Sequence, residues 1–389
     1  MAENEPTLPD DFLDRGLDIL RRLPDAVILN RKVANAIVEF WRKAPVSSLP
    51  QPKYLEVWDR VWAAAAKDLA EERDLVDPVL YAINDPAGKL TEELLKFLWP
   101  KEAKAGGGLP PELTDRLSNI VTRTDHSAID ASSVIVASRA HILHAVAPEF
   151  AIQSVLPLLS WQLNPSAAAY WSAFLWSARI SPDLYRLIEP DFLIALRNPD
   201  RLRDRGYEIL CQIFLLASLE FRAPAAETTR QVLNDMDAQG LGHISSFVRQ
   251  RMLNAKEDAR NYWSNTVQPW LEAYWPRDAE KQTQQTKTDF AMTAIYSDGS
   301  FGRALGWLNE NGLLGETPTA TTILMSLKDT GRSHEDFARS FTLPEHFPAE
   351  VLRLLSITRP FRWDHGYGRG LLDRIRAAKP EIEQTPEYL

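Results

Sequence analysis

The sequence predicts an all-α fold, because its aromatic side chains recur at helical spacing and strand patterns are scarce. Trp263, Val267, Trp270 and Tyr274 follow one another at i, i+4, i+7 and i+11, which places them on one face of a helix. Pro269 lies within this stripe and predicts a kink. Large flat side chains at such spacing hold helices together, and we expect roughly three in four of the tryptophans to be buried.

The strongest strand candidate is the β-branched run from Val134 to Val136. It lies within Asp130 to Ala147, a segment of helix length that continues with further apolar residues. We therefore interpret the run as part of a buried helix.

Several helix starts are marked by a proline followed by acidic residues. Proline fits the first turn of a helix, and carboxylates suit its positive end. The pattern occurs at Pro9-Asp10-Asp11, Pro110-Pro111-Glu112, Pro148-Glu149 and Pro182-Asp183. Because no strict sequence period accompanies these marks, they predict an irregular HEAT-like helical repeat array, or α-solenoid.

With 389 residues, the chain exceeds the usual size of a single core, so several domains are expected. The segment 101–111, KEAKAGGGLPP, is the clearest linker, because three consecutive glycines do not hold regular structure cheaply. We predict an N-terminal helical domain over 1–100, a central helical array over 112–277 and a C-terminal helical domain over 278–389. A polar stretch near 278–287 marks the last boundary.

The composition predicts a soluble cytoplasmic protein. A formal net charge of −9 argues against sequence-independent binding to nucleic acid, because such binding needs Lys and Arg to neutralise phosphates. One cysteine, Cys211, fits a reducing compartment, and its apolar helical surroundings favour a buried, unreactive thiol. No apolar run reaches the length of a membrane span, and the acidic N-terminus is unlike a secretory leader.

Three groups of residues resemble reactive sites but lack their context. His141 and His144 are three residues apart on a helix, yet zinc needs three or four ligands, so we expect one packed and one exposed histidine. Gly366 to Gly370 lacks the preceding strand of a nucleotide-binding loop, and we expect a connector between helices. Asp364 and His365, taken with Ser356, have no nucleophile elbow. We expect no catalytic residue, cofactor or metal.

Four stretches resemble the long helical C-terminal region of bacterial sirtuin-like anti-phage defence proteins, and in order and spacing they cover most of the chain. They are Asp85 to Leu95 (DPAGKLTEELL), Leu156 to Trp161 leading into Trp171 to Asp183, Tyr262 to Pro276, and Pro348 to Leu355.

The resemblance implies a role in bacterial immunity against phage. In such proteins an N-terminal sirtuin-like domain depletes NAD, and the helical region recognises a trigger or holds the enzyme inactive. No glycine-rich βα turn or catalytic histidine of that enzyme matches a position here, so no catalytic residue carries over. The chain is then either a separately encoded helical subunit, which its initial methionine favours, or a fragment without its effector.

The leading hypothesis is a non-enzymatic recognition or regulatory scaffold that binds a protein, either an NAD-depleting or other effector or a phage protein. Because interface hot spots are rich in Trp and Arg, Trp161, Trp171, Trp176 and Arg179 are the predicted contact region. Two alternatives stay open: a helical-repeat enzyme acting on DNA, such as a glycosylase, and a purely structural scaffold that oligomerises.

Overall fold

A computed structural model describes residues 10–28, 30–42, 52–66, 70–71, 77–98, 106–122, 128–202, 204–317, 342–358 and 366–384. The regular secondary structure of these residues is helical, which confirms the all-α prediction, apart from one antiparallel pair of two-residue strands, β1 (Ala70–Glu71) and β2 (Ala128–Ile129). The chain divides into two units, Met1–Tyr207 and Glu208–Leu389. Within the described ranges, no helix combines the length and apolar content that a bilayer span requires.

The helices of the first unit are α1 (Asp10–Arg22), α2 (Asp25–Ile28), α3 (Arg31–Arg42), α4 (Pro52–Ala65), α5 (Pro78–Asn84), α6 (Pro86–Leu95), α7 (Pro111–Thr122), α8 (Ala131–Ser138), α9 (Ala140–Val146), α10 (Pro148–Phe150), α11 (Ala167–Trp176) and α12 (Pro182–Arg197). The predicted proline starts are confirmed at Pro111, Pro148 and Pro182, and Pro9 lies outside the described residues.

The boundary between the units lies within α13 (Asp204–Leu216). The helices that follow are α14 (Ala226–Asp235), α15 (Ala238–Asn254), α16 (Ala259–Tyr262), α17 (Gln268–Tyr274), α18 (Gln284–Tyr296), α19 (Phe301–Glu310), α20 (Leu343–His346), α21 (Pro348–Thr358) and α22 (Gly366–Ala378).

Every residue of α8 is buried, because α5, α6, α7 and α11 pack around it. A helix without a polar face belongs in a core, and here small and β-branched side chains cover all faces. Asp130 caps its first turn by accepting hydrogen bonds from the backbone N–H groups of Ser132 and Ser133. The Trp62 indole donates to the Ser132 hydroxyl at 2.9 Å. The predicted buried helix is therefore confirmed, including Val134 to Val136.

In the second unit, α18 packs against α15 and α19, and its residues from Thr288 to Tyr296 are buried. The buried carboxylate of Asp289 accepts hydrogen bonds from Arg249 Nε at 2.8 Å and Ser245 Oγ at 3.1 Å, both on α15. Burial raises the pKa of Asp289, while the Arg249 guanidinium opposes that rise. Since a buried charge is costly without partners, this network pairs α15 with α18 in one arrangement.

The aromatic stripe of the second unit lies on a helix that changes its winding. A π-helical segment, Trp263–Val267, joins α16 to α17, and Pro269 occupies the first turn of α17. Trp263, Val267 and Trp270 are buried, as their spacing predicts, whereas Tyr274 at the end of the stripe is half-buried.

The glycine-rich part of the predicted linker packs against the end of α9. The backbone N–H groups of Gly106 and Gly108 donate to the carbonyl oxygens of Ala145 and Val146, at 2.9 and 3.0 Å. Both glycines have left-handed φ values, 72° and 80°, which a residue without Cβ adopts without strain. These bonds satisfy carbonyl groups that have no partner within the helix.

The structure divides the chain at Tyr207 and Glu208, whereas the sequence predicts division at 101–111 and near 278. The physical reason lies in the packing around α8. Helices before the glycines, α5 and α6, and helices after them, α7 and α11, bury different faces of this one helix. The glycine segment therefore joins parts of a single unit.

Gly88 lets α6 pack closely against α5. A Cβ atom at this position would lie 2.0 Å from the carbonyl oxygen of Ala82, which is backbone and does not swing aside. Asp85 sets the sharp connection between the helices by accepting from the Ala87 N–H at 2.8 Å. The hairpin of α5 and α6 therefore depends on a glycine inside a helix.

Gly88→Ala is expected to lower the free energy of unfolding by about 1–3 kcal/mol, the usual cost of overpacking a tight contact. Urea unfolding followed by circular dichroism measures the change. Gly242→Ala is the control, because a Cβ there meets no atom within 4 Å. In α15 it is expected to stabilise by about 0.5–1 kcal/mol, since alanine favours helix. Equal effects of both substitutions would contradict the close approach.

Candidate functional site

An open groove of about 840 Å³ lies in the first unit, between α9 and the beginning of α12. From α9, His141 and His144 line it. From the α12 side, Arg179, Arg186 and Leu187 line it. Its volume is within the range of ligand and peptide sites in proteins.

Large apolar side chains remain exposed in this groove. Ile152 is 42% exposed and Leu187 is 43% exposed. Ile152 lies on a π-helical segment, Ala151–Val155, a type of winding that is frequent at functional sites. Leu187 lies beside the buried stripe of α12, which includes Leu184 and Ile188. The groove therefore offers apolar surface that the unit's own core does not cover.

Of the two arginines that line the groove, Arg186 is paired with an acidic side chain and Arg179 is not, within the described part of the chain. Arg186 Nη1 lies 2.8 Å from Asp183 Oδ1, one turn earlier on α12. Ser181 caps α12 by accepting from the Leu184 N–H at 3.2 Å. Arg179 is exposed and has no hydrogen-bond or ion-pair partner among the residues that the structure describes. Its guanidinium is therefore free to bind an anion.

His141 is neutral in the folded protein at pH 7. Burial lowers its pKa to about 4, and the positive charges of Arg139 and Arg179 add to that effect. Its Nδ1 is buried and has no hydrogen-bond partner within the described ranges. Both His141 and His144 are half-buried in the same groove, so the expectation of one packed and one exposed histidine was wrong.

The described residues contain no cluster of three or more His, Cys, Asp or Glu side chains placed to share a metal ion. Two buried carboxylates, Glu93 and Asp289, have pKa values raised by burial, but each is held by neighbouring cations and neither lines the groove.

The predicted contact residues separate into core and surface. Trp171 is fully buried, and its Nε1 donates to the Leu159 carbonyl at 2.7 Å, so its place in the contact region is corrected. The Trp171 ring packs edge-to-face against the rings of Phe174 and Phe192. Trp176, at the end of the same helix, is 58% exposed.

Trp161 lies between these extremes, because it is half-buried. Its backbone N–H donates to Asp191 Oδ1 and its Nε1 donates to the Asp191 carbonyl, both at 2.9 Å. The Arg201 guanidinium lies 5.5 Å from the centre of its ring. Trp161 is therefore held in place by its own unit, with part of its surface left uncovered.

The expected burial of most tryptophans agrees with the described ranges. Trp307 is half-buried, like Trp161, and Trp99 and Trp363 lie outside the described residues. The buried ones are Trp41, Trp58, Trp62, Trp171, Trp263, Trp270 and Trp275.

Several other residues that the sequence offered as candidate sites have structural roles. Cys211 is completely buried, as expected. Gly366 begins α22, so the glycines there open a helix instead of forming the expected connector. The Ser356 hydroxyl donates to the Arg353 carbonyl within α21. Asp364 and His365 lie outside the described residues.

The sequence reasoning missed Ile152, Leu187 and Arg186. The sequence could have indicated that Leu187 is exposed. This apolar residue lies outside the buried stripe of α12, which includes Leu184 and Ile188. Ile152 carried no such signal.

No protein-family model, curated protein or solved structure matches this chain. The groove's own chemistry, and the exposed surface around it, are therefore the basis for a functional proposal.

Trp171→Ala and Trp176→Ala are expected to differ sharply in stability. Removing the buried Trp171 indole is expected to lower the free energy of unfolding by about 3–5 kcal/mol. Removing the exposed Trp176 indole is expected to change it by no more than about 0.5 kcal/mol. Urea unfolding of both variants measures the difference. Similar costs for the two would contradict the assignment of one to the core and the other to the surface.

His141→Gln is expected to weaken the acid sensitivity of the fold. Since the folded pKa of about 4 lies below the unfolded value of 6.5, only unfolded chains bind a proton between these pH values. The stability that the neutral, half-buried His141 provides is therefore complete above pH 6.5. It is lost as the pH falls toward 4, because protonation then favours the unfolded chain. After discounting for partial exposure, the wild type is expected to lose about 1–2 kcal/mol more than the variant over this window. Urea unfolding at several pH values tests this, and parallel pH profiles would contradict it.

Proposed function

We propose that this chain is a non-enzymatic recognition or regulatory protein whose first unit binds a protein partner around the groove between α9 and α12. One observation carries the proposal. Among the described residues, the large apolar side chains that remain exposed all belong to the first unit. They are Ile19, Val27, Leu80, Ile152, Leu163, Trp176 and Leu187.

The chemistry around the groove suits a protein interface. Contiguous exposed apolar surface marks interaction sites, and Trp and Arg are enriched among residues that dominate binding energy. Ile152 and Leu187 supply apolar surface, and Arg179 supplies an unpaired charge. Trp176 is three residues before Arg179 and is the most exposed tryptophan of the described ranges.

We further propose that the helices form irregular HEAT-like repeats and that the partner belongs to bacterial defence against phage. Support for the first part comes from short connections between consecutive helices, such as the one at Asp85 between α5 and α6. Support for the second part comes from the resemblance of four stretches of this sequence to helical regions of sirtuin-like defence proteins. On this proposal the partner is an effector, such as an NAD-depleting enzyme, or a phage protein.

Affinity capture of the full chain from its native cells, with and without phage infection, tests the proposal. Mass spectrometry is expected to identify a protein whose recovery falls at least about tenfold with Leu187→Glu, because a buried, unpaired charge costs more than 1.4 kcal/mol. Ile19→Glu is the matched control and is expected to retain the partner, because Ile19 is exposed on α1 but does not line the groove.

Recovery of the chain alone under both conditions would contradict the recognition role. Salt-sensitive binding to damaged DNA in a mobility assay would favour a DNA-acting enzyme instead. Capture of only further copies of the chain, with a matching mass by light scattering, would favour an oligomerising scaffold.

A further inference from the structure

We infer that the groove between α9 and α12 accepts a segment of the partner protein that presents a carboxylate beside a large apolar side chain, with Arg179 as the anion contact. This inference rests on the proposed function, because it specifies the chemistry of the partner that the first unit binds.

Charge complementarity identifies the carboxylate. Of the two arginines that line the groove, Arg186 is already paired with Asp183 at 2.8 Å. Arg179 lacks such a partner among the described residues, and Asp183 is occupied by Arg186. Guanidinium groups bind carboxylates through two parallel hydrogen bonds, which gives direction as well as attraction. The groove thus keeps one cation unsatisfied in a chain whose formal net charge is −9.

The apolar lining identifies the second feature of the partner segment. Ile152 and Leu187 expose large side chains into the same groove that Arg179 lines. A leucine or phenylalanine side chain placed between them would remove apolar surface from water on both sides of the contact. A free inorganic anion would leave this surface uncovered, so a protein segment fits the groove better.

His141 reports on occupancy of the anion position. Burial is the main cause of the low pKa of His141, and the positive charges of Arg139 and Arg179 add to it. Arg139 lies 3.5 Å from the carboxylate of Glu92, so its charge is partly compensated within the unit. A carboxylate bound at Arg179 would offset that arginine's charge, and the pKa of His141 would rise.

The test uses the full chain and three terminally blocked peptides of equal length. The first combines leucine and glutamate at helical spacing, and the second and third replace glutamate with glutamine or lysine. Calorimetry is expected to show the glutamate peptide binding at least about tenfold more tightly than the glutamine peptide, since a charge-assisted hydrogen bond is about twice as strong as a neutral one. The lysine peptide is expected to bind most weakly.

Arg179→Gln is expected to remove the preference for glutamate over glutamine, and Arg179→Lys to keep part of it. Arg197→Gln, an exposed arginine in the last turn of α12 that does not line the groove, is the charge-matched control and is expected to keep the full preference. NMR titration of the histidines is expected to show the pKa of His141 rising when the glutamate peptide is bound.

A preference that survives Arg179→Gln, equal affinity for the three peptides, or failure of all three to bind would overturn the inference. Inorganic phosphate that binds at Arg179 without any peptide preference would also overturn it and would indicate a small-anion site. A native partner whose capture is unaffected by Arg179→Gln would overturn this inference and leave the proposed function standing. Peptide selectivity without any captured partner would contradict the proposed function instead.

Discussion

The first unit depends on the complete burial of α8 with its polar atoms satisfied. Its small and β-branched residues let four helices pack around it, which a larger or charged side chain would prevent. Buried hydroxyl groups normally cost stability, but Ser132 accepts from the Trp62 indole and Ser133 donates to the Asp130 carboxylate. Ser138 likewise donates to the Ile135 carbonyl. A core helix with internal polar bonds therefore sets the position of every helix packed against it.

The position of α8 in turn fixes the groove. Immediately after it, α9 begins at Ala140, and the N–H groups of Gly106 and Gly108 hold the other end of α9. The Ser177 hydroxyl donates to the Ser138 carbonyl, which ties the connection that carries Arg179 to the end of α8. The groove is therefore built on well-anchored elements, and a binding surface on such elements loses little conformational freedom when a partner docks.

The groove also shows how a protein of negative net charge can present a local cation. The acidic side chain that lines it, Asp183, is paired with Arg186, and the nearby Arg139 is paired with Glu92. Arg179 remains outside these pairs, while the neutral imidazole of His141 avoids adding a second positive charge at pH 7. The selectivity of such a site comes from which charges stay unpaired, because exposed pairs attract a partner only weakly.

The sequence alone determined the helices, several of their starting residues and the burial of the aromatic stripes. These features arise from helical periodicity and capping, which depend on residues only a few positions apart in the sequence. Only the tertiary structure decided that Trp171 is core and Trp176 is surface, although both lie on α11. It also decided that the glycine segment anchors α9, and that His141 and Arg179 meet in one groove. These outcomes depend on which helix covers which face, and that choice is made by packing between segments far apart in the chain.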